Sequence, residues 1–366
     1  MAEVSALQRH QCPECGGDAQ WNAAKQSLVC PFCGTVIPGE LKADGSGIVE
    51  HDLAEAMRNV SADQRGWQAQ KTSVRCQNCR AISVFDPGRA AQRCDFCGSA
   101  ALVSYKDVSE VIRPEGLLPM KVAETRVRED MRRWYGSRWF APNRLKQAAL
   151  TDTLKGVYLP YWTFDANAHS EWTAESGYHY YETETYRDSN GETRTRQVQR
   201  TRWVPSSGAL EHFFDDTLIC GSVGIDAELL RKIEPFPTTN ALVPYDAGYI
   251  RGWIVERYQV DLGHAAERST ALMESEMNSL CARQVPGDTH RNLQVETEYA
   301  ARTFKHVLLP IWLVTYTYGS KNFQVLVNGC TGAIAGRRPY SWVKIALTVL
   351  AALAAVGVIA LLAQAR

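Results

Sequence analysis

The chain has 366 residues, 45% of them apolar, and its 40 Lys and Arg residues balance its 40 Asp and Glu residues to give no formal net charge. That length accommodates two or three domains, and that apolar content excludes an intrinsically disordered chain. Charge neutrality argues against a dedicated nucleic-acid binder, whose surface needs a basic excess.

In chain order the first strong signal is cysteine. Eight of the 11 cysteines fall into two identically spaced blocks, Cys12-x2-Cys15-x14-Cys30-x2-Cys33 and Cys76-x2-Cys79-x14-Cys94-x2-Cys97. A C-x2-C pair forms a tight knuckle whose two sulfurs reach one ion, and two such knuckles supply the tetrahedral four-thiolate shell of structural Zn2+. The blocks also agree between their ligands. Trp21 and Phe85 occupy one offset, and Cys-Pro-Phe-Cys-Gly ending at Gly34 answers Cys-Asp-Phe-Cys-Gly ending at Gly98, with glycine suited to the left-handed turn that closes a knuckle. We therefore expect two four-cysteine zinc ribbons, at 1–38 and 74–106, with short strands at Ser27–Val29, Ser83–Phe85 and Leu102–Tyr105. The competing reading, a disulfide framework, belongs to exported proteins. Residues 1–11 contain Glu3 and no apolar export region, which favours a reducing cytosol. Cys220, Cys281 and Cys330 stand outside any motif and read as small buried hydrophobes.

Between the ribbons, residues 39–73 read as a linker. A short helix is expected from Glu50 to about Gln70, with Leu53, Met57 and Val60 at helical spacing, so the ribbons should be separate beads. In the second ribbon Lys71, Arg75, Arg80, Arg89 and Arg93 outnumber Asp86 and Asp95. This excess reads as a solvated surface or, alternatively, as a contact for a nucleic-acid backbone.

Residues 107–340 are expected to form an α+β domain. Met120–Tyr135 has helical periodicity through Val122, Val127, Met131 and Trp134, and a shorter helix is expected over Leu145–Leu150. Val157–Asn167 reads as a strand. Glu182–Asp188 and Glu192–Trp203 flank Asn190-Gly191 as a polar hairpin projecting into solvent. A strand at Thr217–Cys220, a long helix at His264–Val285, and a strand pair at Leu309–Tyr318 and Asn322–Asn328 turning at Gly319-Ser320 complete the domain. The hexamer Val157-Tyr-Leu-Pro-Tyr-Trp162 returns as Val307-Leu-Leu-Pro-Ile-Trp312, which suggests equivalent strands in two duplicated halves. Because proline cannot donate to a ladder, Pro160 and Pro310 are expected at strand starts or on edges.

Catalytic patterns do not emerge. No G-x-x-x-x-G-K-[ST] loop occurs, Gly319-Ser320-Lys321 lacks the required upstream glycine, and neither H-E-x-x-H nor G-x-S-x-G is found. Four-thiolate zinc has no open position for water, so its role would be structural. His169, His179, His212, His264, His290 and His306 fall on different elements without ligand spacing. Glu182 with Glu184, and Asp215 with Asp216, read as solvated pairs or as cross-strand partners of Arg194, Arg196, Arg200 and Arg202. The aromatic residues from Trp134 to Tyr186 read as strand core rather than a ligand groove. The chain is not expected to be an enzyme.

The last region, 341–366, contains nineteen uncharged residues from Ile345 to Ala363. A helix of that length rises roughly 28 Å, close to the ~30 Å hydrocarbon core of a bilayer. Tyr340 and Trp342 are placed as interfacial aromatics, and Arg337, Arg338 and Lys344 precede the span while Arg366 follows it, which predicts a cytoplasmic N-terminal part. With three residues beyond the span, a tail anchor is expected, inserted after synthesis into the inner membrane. A buried core helix is the competing reading, but one without any polar face is rare. Ala351 and Ala355 have the spacing of a helix-association face.

The two C-x2-C ribbons, Trp139-F-A-P-N-R-L-Lys146, the LPYW and LPIW copies, Val327-N-G-C-T-Gly332, Arg337-R-P-Y-S-Trp342 and the terminal span together resemble bacterial tandem zinc-ribbon (transcription factor IIB-type) membrane proteins, a group often labelled primosomal helicase-like. The chain lacks the nucleotide motif that a helicase requires. The resemblance implies a scaffold or recruitment role beside phage-shock-type and flotillin-like membrane-stress proteins. The expected function is thus a membrane-anchored adaptor carrying two structural Zn2+ ions, held in the bilayer by residues 345–363 and docking membrane-associated proteins. The alternative is a membrane-tethered nucleic-acid binder.

Overall fold

The computed structural model describes residues 11–37, 48–58, 72–85, 93–105, 112–142, 154–187, 189, 191–250, 253–318 and 321–364. The linker 39–47, the expected helix beyond Arg58, the helix expected at Leu145–Leu150, Lys71, Asp86, Arg89, and the turn residues Asn190 and Gly319-Ser320 lie outside the described residues.

Strands β1 (Gln20–Asn22), β2 (Ser27–Val29) and β3 (Val36–Ile37) form a small antiparallel sheet around the first cysteine block. There follow β4 (His51–Asp52), α1 (Leu53–Arg58), β5 (Thr72–Cys76), β6 (Ile82–Phe85), β7 (Leu102–Tyr105), β8 (Gly116–Leu117) and α2 (Glu124–Gly136). The centre of the chain holds β9 (Leu154–Arg187), β10 (Thr193–Cys220), α3 (Ala227–Ile233), α4 (Thr238–Ala241), β11 (Val243–Pro244), α5 (Ala247–Ile250) and β12 (Ile254–Arg257). It ends with α6 (Leu262–Gln284), β13 (Thr289–Tyr318), β14 (Lys321–Asn328), β15 (Ile334–Gly336) and α7 (Trp342–Gln364).

Among the described residues, one mixed sheet runs β11-β8-β13-β9-β12-β6-β5-β7, with β10 paired to β9, β14 and β4 to β13, and β15 to β14. The body is therefore a mostly sheet α+β structure. Strands β5, β6 and β7 carry the second cysteine block, and β6 pairs with β12 over Ile82–Val84, so this block continues the body's sheet rather than standing as a bead. The first block is docked too, because Trp21 is buried among Met120, Val127 and Met131 and its Nε1 donates to the Met120 carbonyl at 2.9 Å.

Helix α2 buries Val127, Met131 and Tyr135, a spacing of four that returns to one face, while Glu124 and Arg128 pair on the solvent side. Helix α6 is capped by Asp261, whose carboxylate accepts the His264 amide at 2.9 Å, and buries Ala265, Ser269, Met273, Met277 and Cys281. This stripe packs on the central strands, where Ala166, Ala168, Ser170, Trp172, Ala174 and Ser176 are buried and the intervening Asn167, His169, Glu171 and Thr173 are exposed. Period two thus persists through β9, a single strand of 34 residues that extends roughly 110 Å at ~3.3 Å per residue. Beyond Gly177 both faces of the β9–β10 ribbon are open, in line with the polar hairpin expected there.

The LPYW and LPIW copies lie opposite each other across the antiparallel β9–β13 pair, with Leu159 facing Leu309, the third residue of each copy. Their surroundings match. β12 runs parallel to β9 at Val157 and Tyr158, as β8 runs parallel to β13 at Val307 and Leu308. The Trp162 indole donates to the Val260 carbonyl and the Trp312 indole to the Val122 carbonyl, both at 2.9 Å. Each unit reads strand, helix, long strand, return strand: β8-α2-β9-β10 and β12-α6-β13-β14. The prolines are the correction. Pro160 and Pro310 lie inside long strands, not at their starts. Their carbonyls accept from Gly221 and Gly329, at 2.8 and 2.9 Å, immediately past the last rungs of the return strands. In a strand the N and C=O of one residue point to the same side, so each proline leaves this final rung with one bond in place of two, and the Gly221 carbonyl accepts from Gln259 and Val260 instead.

Candidate metal centres

Each C-x2-C segment builds the same knuckle. In the first of each quartet's pairs, Gly16 N donates to Cys12 O at 2.8 Å and Arg80 N to Cys76 O at 3.0 Å; in the second, Gly34 N donates to Cys30 O at 3.0 Å and Gly98 N to Cys94 O at 2.9 Å. The donor residue is left-handed in every case, with φ of 71° at Gly16, 66° at Arg80, 77° at Gly34 and 74° at Gly98. Three glycines enter this conformation without side-chain strain, whereas Arg80 has a Cβ to accommodate.

The knuckles bring the thiols together as the sequence requires. Cys12, Cys15, Cys30 and Cys33 form one group, and Cys76, Cys79, Cys94 and Cys97 another, with all sulfurs of a group within 4.8 Å of one another. The closest approaches are 3.4 Å for Cys12–Cys33, 3.5 Å for Cys15–Cys30, 3.6 Å for Cys76–Cys97 and 3.5 Å for Cys79–Cys94. A disulfide requires about 2.05 Å, whereas a tetrahedron of sulfurs 2.3 Å from one ion has edges of about 3.8 Å. The separations therefore suit a shared cation, and both clusters could hold zinc. Within each cluster the thiols split, one drawn down while a neighbour such as Cys15, bonded to Cys30 and Cys33, is pushed up. The Thr35 hydroxyl holds the Cys33 thiol down to about 6, and a hydrogen bond from Cys79 holds Cys94 down to about 5. Cys79, the proton donor in that pair and partly desolvated, is pushed up. A second negative sulfur in so small a volume needs a cation to balance it.

The clusters differ in burial. Cys12 and Cys30 are buried but Cys15 and Cys33 are exposed, while Cys79 and Cys97 are half-buried and Cys76, Cys94 and Phe96 sit in the main core with Leu118, Leu159 and Leu230. Arg75, Arg80 and Arg93 are exposed around the second cluster, and Asp95 is turned inward to Lys155. Of the cysteines outside the motifs, Cys281 is buried and Cys220 and Cys330 are half-buried.

The histidines are dispersed. His264 serves the α6 cap, His179 Nδ1 lies 3.1 Å from Thr201 Oγ1, and His169 is 3.8 Å from Glu211. His212 packs edge-on against Phe214, and His290 is exposed on β13. His306 is buried against Trp162 and Tyr258 and donates from Nδ1 to Ile112 O at 2.8 Å, with burial lowering its pKa to about 4. On the ribbon, Glu184 pairs with Arg196 at 3.0 Å and Glu182 with Arg200 at 3.1 Å, the cross-strand pairing expected.

The pair Asp215 and Asp216 behaves otherwise. Asp216 is buried with Asp165 where both β10 and β13 are bulged, and Lys305 Nζ lies 3.0 Å from Asp216, 3.7 Å from Asp165 and 2.9 Å from Glu50. These carboxylates already enclose a cation, the lysine's own ammonium. Lys305 and Asp165 carried no sequence signal, since residues so far apart in sequence meet only through the β9–β13 register.

No family model matches the chain. It is similar to an uncharacterized protein of Bacillus subtilis (strain 168), YdjG, at 24% identity over 345 residues, spanning 92% of each chain. No solved structure matches.

Proposed function

We propose that the chain is a membrane-anchored adaptor whose two structural Zn2+ ions, each held as a zinc ribbon, shape protein-docking surfaces at the cytoplasmic face of the inner membrane. The observation that carries this reading is the combination of two closed four-thiolate clusters with α7. Within this helix Trp342–Ile359 is apolar apart from Lys344 and Thr348, and none of its residues is buried. An apolar helix left exposed beyond its first turn is costly in water and favourable in a bilayer. Four thiolates complete the coordination of zinc, so the ions would fix loop geometry and leave the exposed knuckle tips, such as Phe32 at 78% exposure, for partners. The matched units around LPYW and LPIW support an internal duplication, which would give the body two related halves.

The test is affinity purification of the full-length chain from detergent extract, compared with a Cys15→Ser, Cys33→Ser variant. These two ligands are exposed, so their loss spares the main core. The expected result is a membrane-associated protein that copurifies with the wild-type chain and is lost from the variant. Recovery of nucleic acid with no protein, eluting steeply with salt, would replace the adaptor by a tethered nucleic-acid binder; recovery of neither would refute both.

A further inference from the structure

Among the described residues the two most exposed tryptophans are Trp139, at 72%, and Trp342, at 80%. They are distant in sequence, but the backbone segments that carry them are bonded to each other. The turn that follows α2 is clamped to the first turn of α7: Ser341 N donates to Phe140 O at 2.8 Å, and Lys344 Nζ donates to Ala141 O at 2.8 Å and to Trp139 O at 3.1 Å. Within this turn Ala141 is fully buried while Trp139 is left in the open. An exposed indole so placed needs an explanation, because Trp21, Trp162, Trp172 and Trp312 are all buried.

Indole rings concentrate where a bilayer's hydrocarbon meets its headgroups, with the apolar body inward and the N–H wet. The hydrogen bonds to Ser341 and Lys344 set the backbone of residues 139–141 at the depth where α7 begins. Trp342 and Tyr340, the latter 56% exposed, mark that same level. Exposed Arg132 on the last turns of α2, where Arg133 is already paired with Asp130, adds positive charge beside the turn, the sign that suits headgroup phosphates.

We propose that the turn after α2 is a second contact with the bilayer, in which Trp139 sits in the headgroup layer beside Trp342 and orients the sheet body on the membrane. This rests on α7 being a membrane span. A single helix leaves the body free to swivel about its tether, whereas a second point of contact fixes the face that the body presents to the cytoplasm. The long β9–β10 ribbon then points away from the anchored end, since the β9–β13 register places its tip at the opposite end of the sheet from Leu154 and Val314.

The experiment reconstitutes the full-length chain, its Trp139→Phe variant and its Trp342→Phe variant into phosphatidylcholine–phosphatidylglycerol vesicles, with or without bromine on the upper acyl chains, and reads tryptophan emission. With two interfacial indoles, each substitution is expected to remove about half of the bromine-quenchable signal. Loss of quenching in Trp342→Phe but not in Trp139→Phe would overturn the second contact and leave the span intact. No loss in either variant would overturn the span reading, and with it this inference.

Discussion

Removing one four-cysteine cluster should dismantle the body, and removing the other should not. The perturbation is Cys94→Ser against Cys33→Ser in the full-length chain. The second cluster lies in the main core, and its segment contributes buried Ile82, Val84 and Phe96 together with the β6–β12 rungs. At about 1.5–3 kcal/mol for each buried side chain, those three account for about 5–9 kcal/mol. Zinc binding adds on the order of 10 kcal/mol. Against a typical domain stability of about 5–15 kcal/mol, the loss is enough to unfold the body. The first cluster has its own three-stranded sheet and is anchored to the body through Trp21 and its bond to Met120, with Ala19, Ala23 and Leu28 in the same apolar cluster. Undocking it costs about 3–5 kcal/mol for the Trp21 contact. The assay pairs zinc released to a colorimetric chelator with urea titration of near-ultraviolet circular dichroism in detergent. Cys33→Ser is expected to retain one zinc per chain and a cooperative transition at lower urea; Cys94→Ser is expected to lose the transition. A Cys94→Ser chain that holds one zinc and unfolds like wild type would refute the reasoning.

Further outcomes follow from individual residues. Arg80→Gly should stabilise the chain by about 1 kcal/mol by relieving a left-handed non-glycine residue, whereas Gly98→Ala, with open space around its Cβ, should cost about 1–2 kcal/mol, both read from urea midpoints. Lys305→Met should cost about 3–5 kcal/mol at neutral pH because it leaves Asp165 and Asp216 buried without their cation. Burial raises the Asp165 carboxyl above its ordinary value. The native state then binds that proton more tightly than the unfolded chain, so the Lys305→Met chain should regain stability as pH falls toward the carboxylate range. An unchanged deficit between pH 7 and pH 5 would contradict this. Truncation before Trp342 should move the chain from the membrane pellet to the supernatant after cell fractionation.

Spacing alone brought out the eight clustered cysteines, because ligand geometry around one ion is a local demand that C-x2-C pairs satisfy within a few residues. The α7 helix was equally legible, since nineteen uncharged residues need no partner to announce themselves. Periodicity placed α2 and α6 within a few residues of their ends, as a single buried stripe repeats every turn. The 34-residue β9 was legible only in pieces: Ala166, Ala168, Ser170 and Ala174 have weak strand preference, and they are strand because α6 covers them. The same holds for the fusion of the second cluster to the body, which depends on β6 meeting β12. Sequence by itself determined the two cysteine quartets, the apolar helix and the LPYW–LPIW repeat, each written in neighbouring residues. Tertiary structure decided that the repeats face each other, that Lys305 fills the acidic cluster, and that the turn at Trp139–Ala141 is bonded to the first turn of α7. Those are pairings between distant segments, whose free energy appears only when the sheet closes and its register is set.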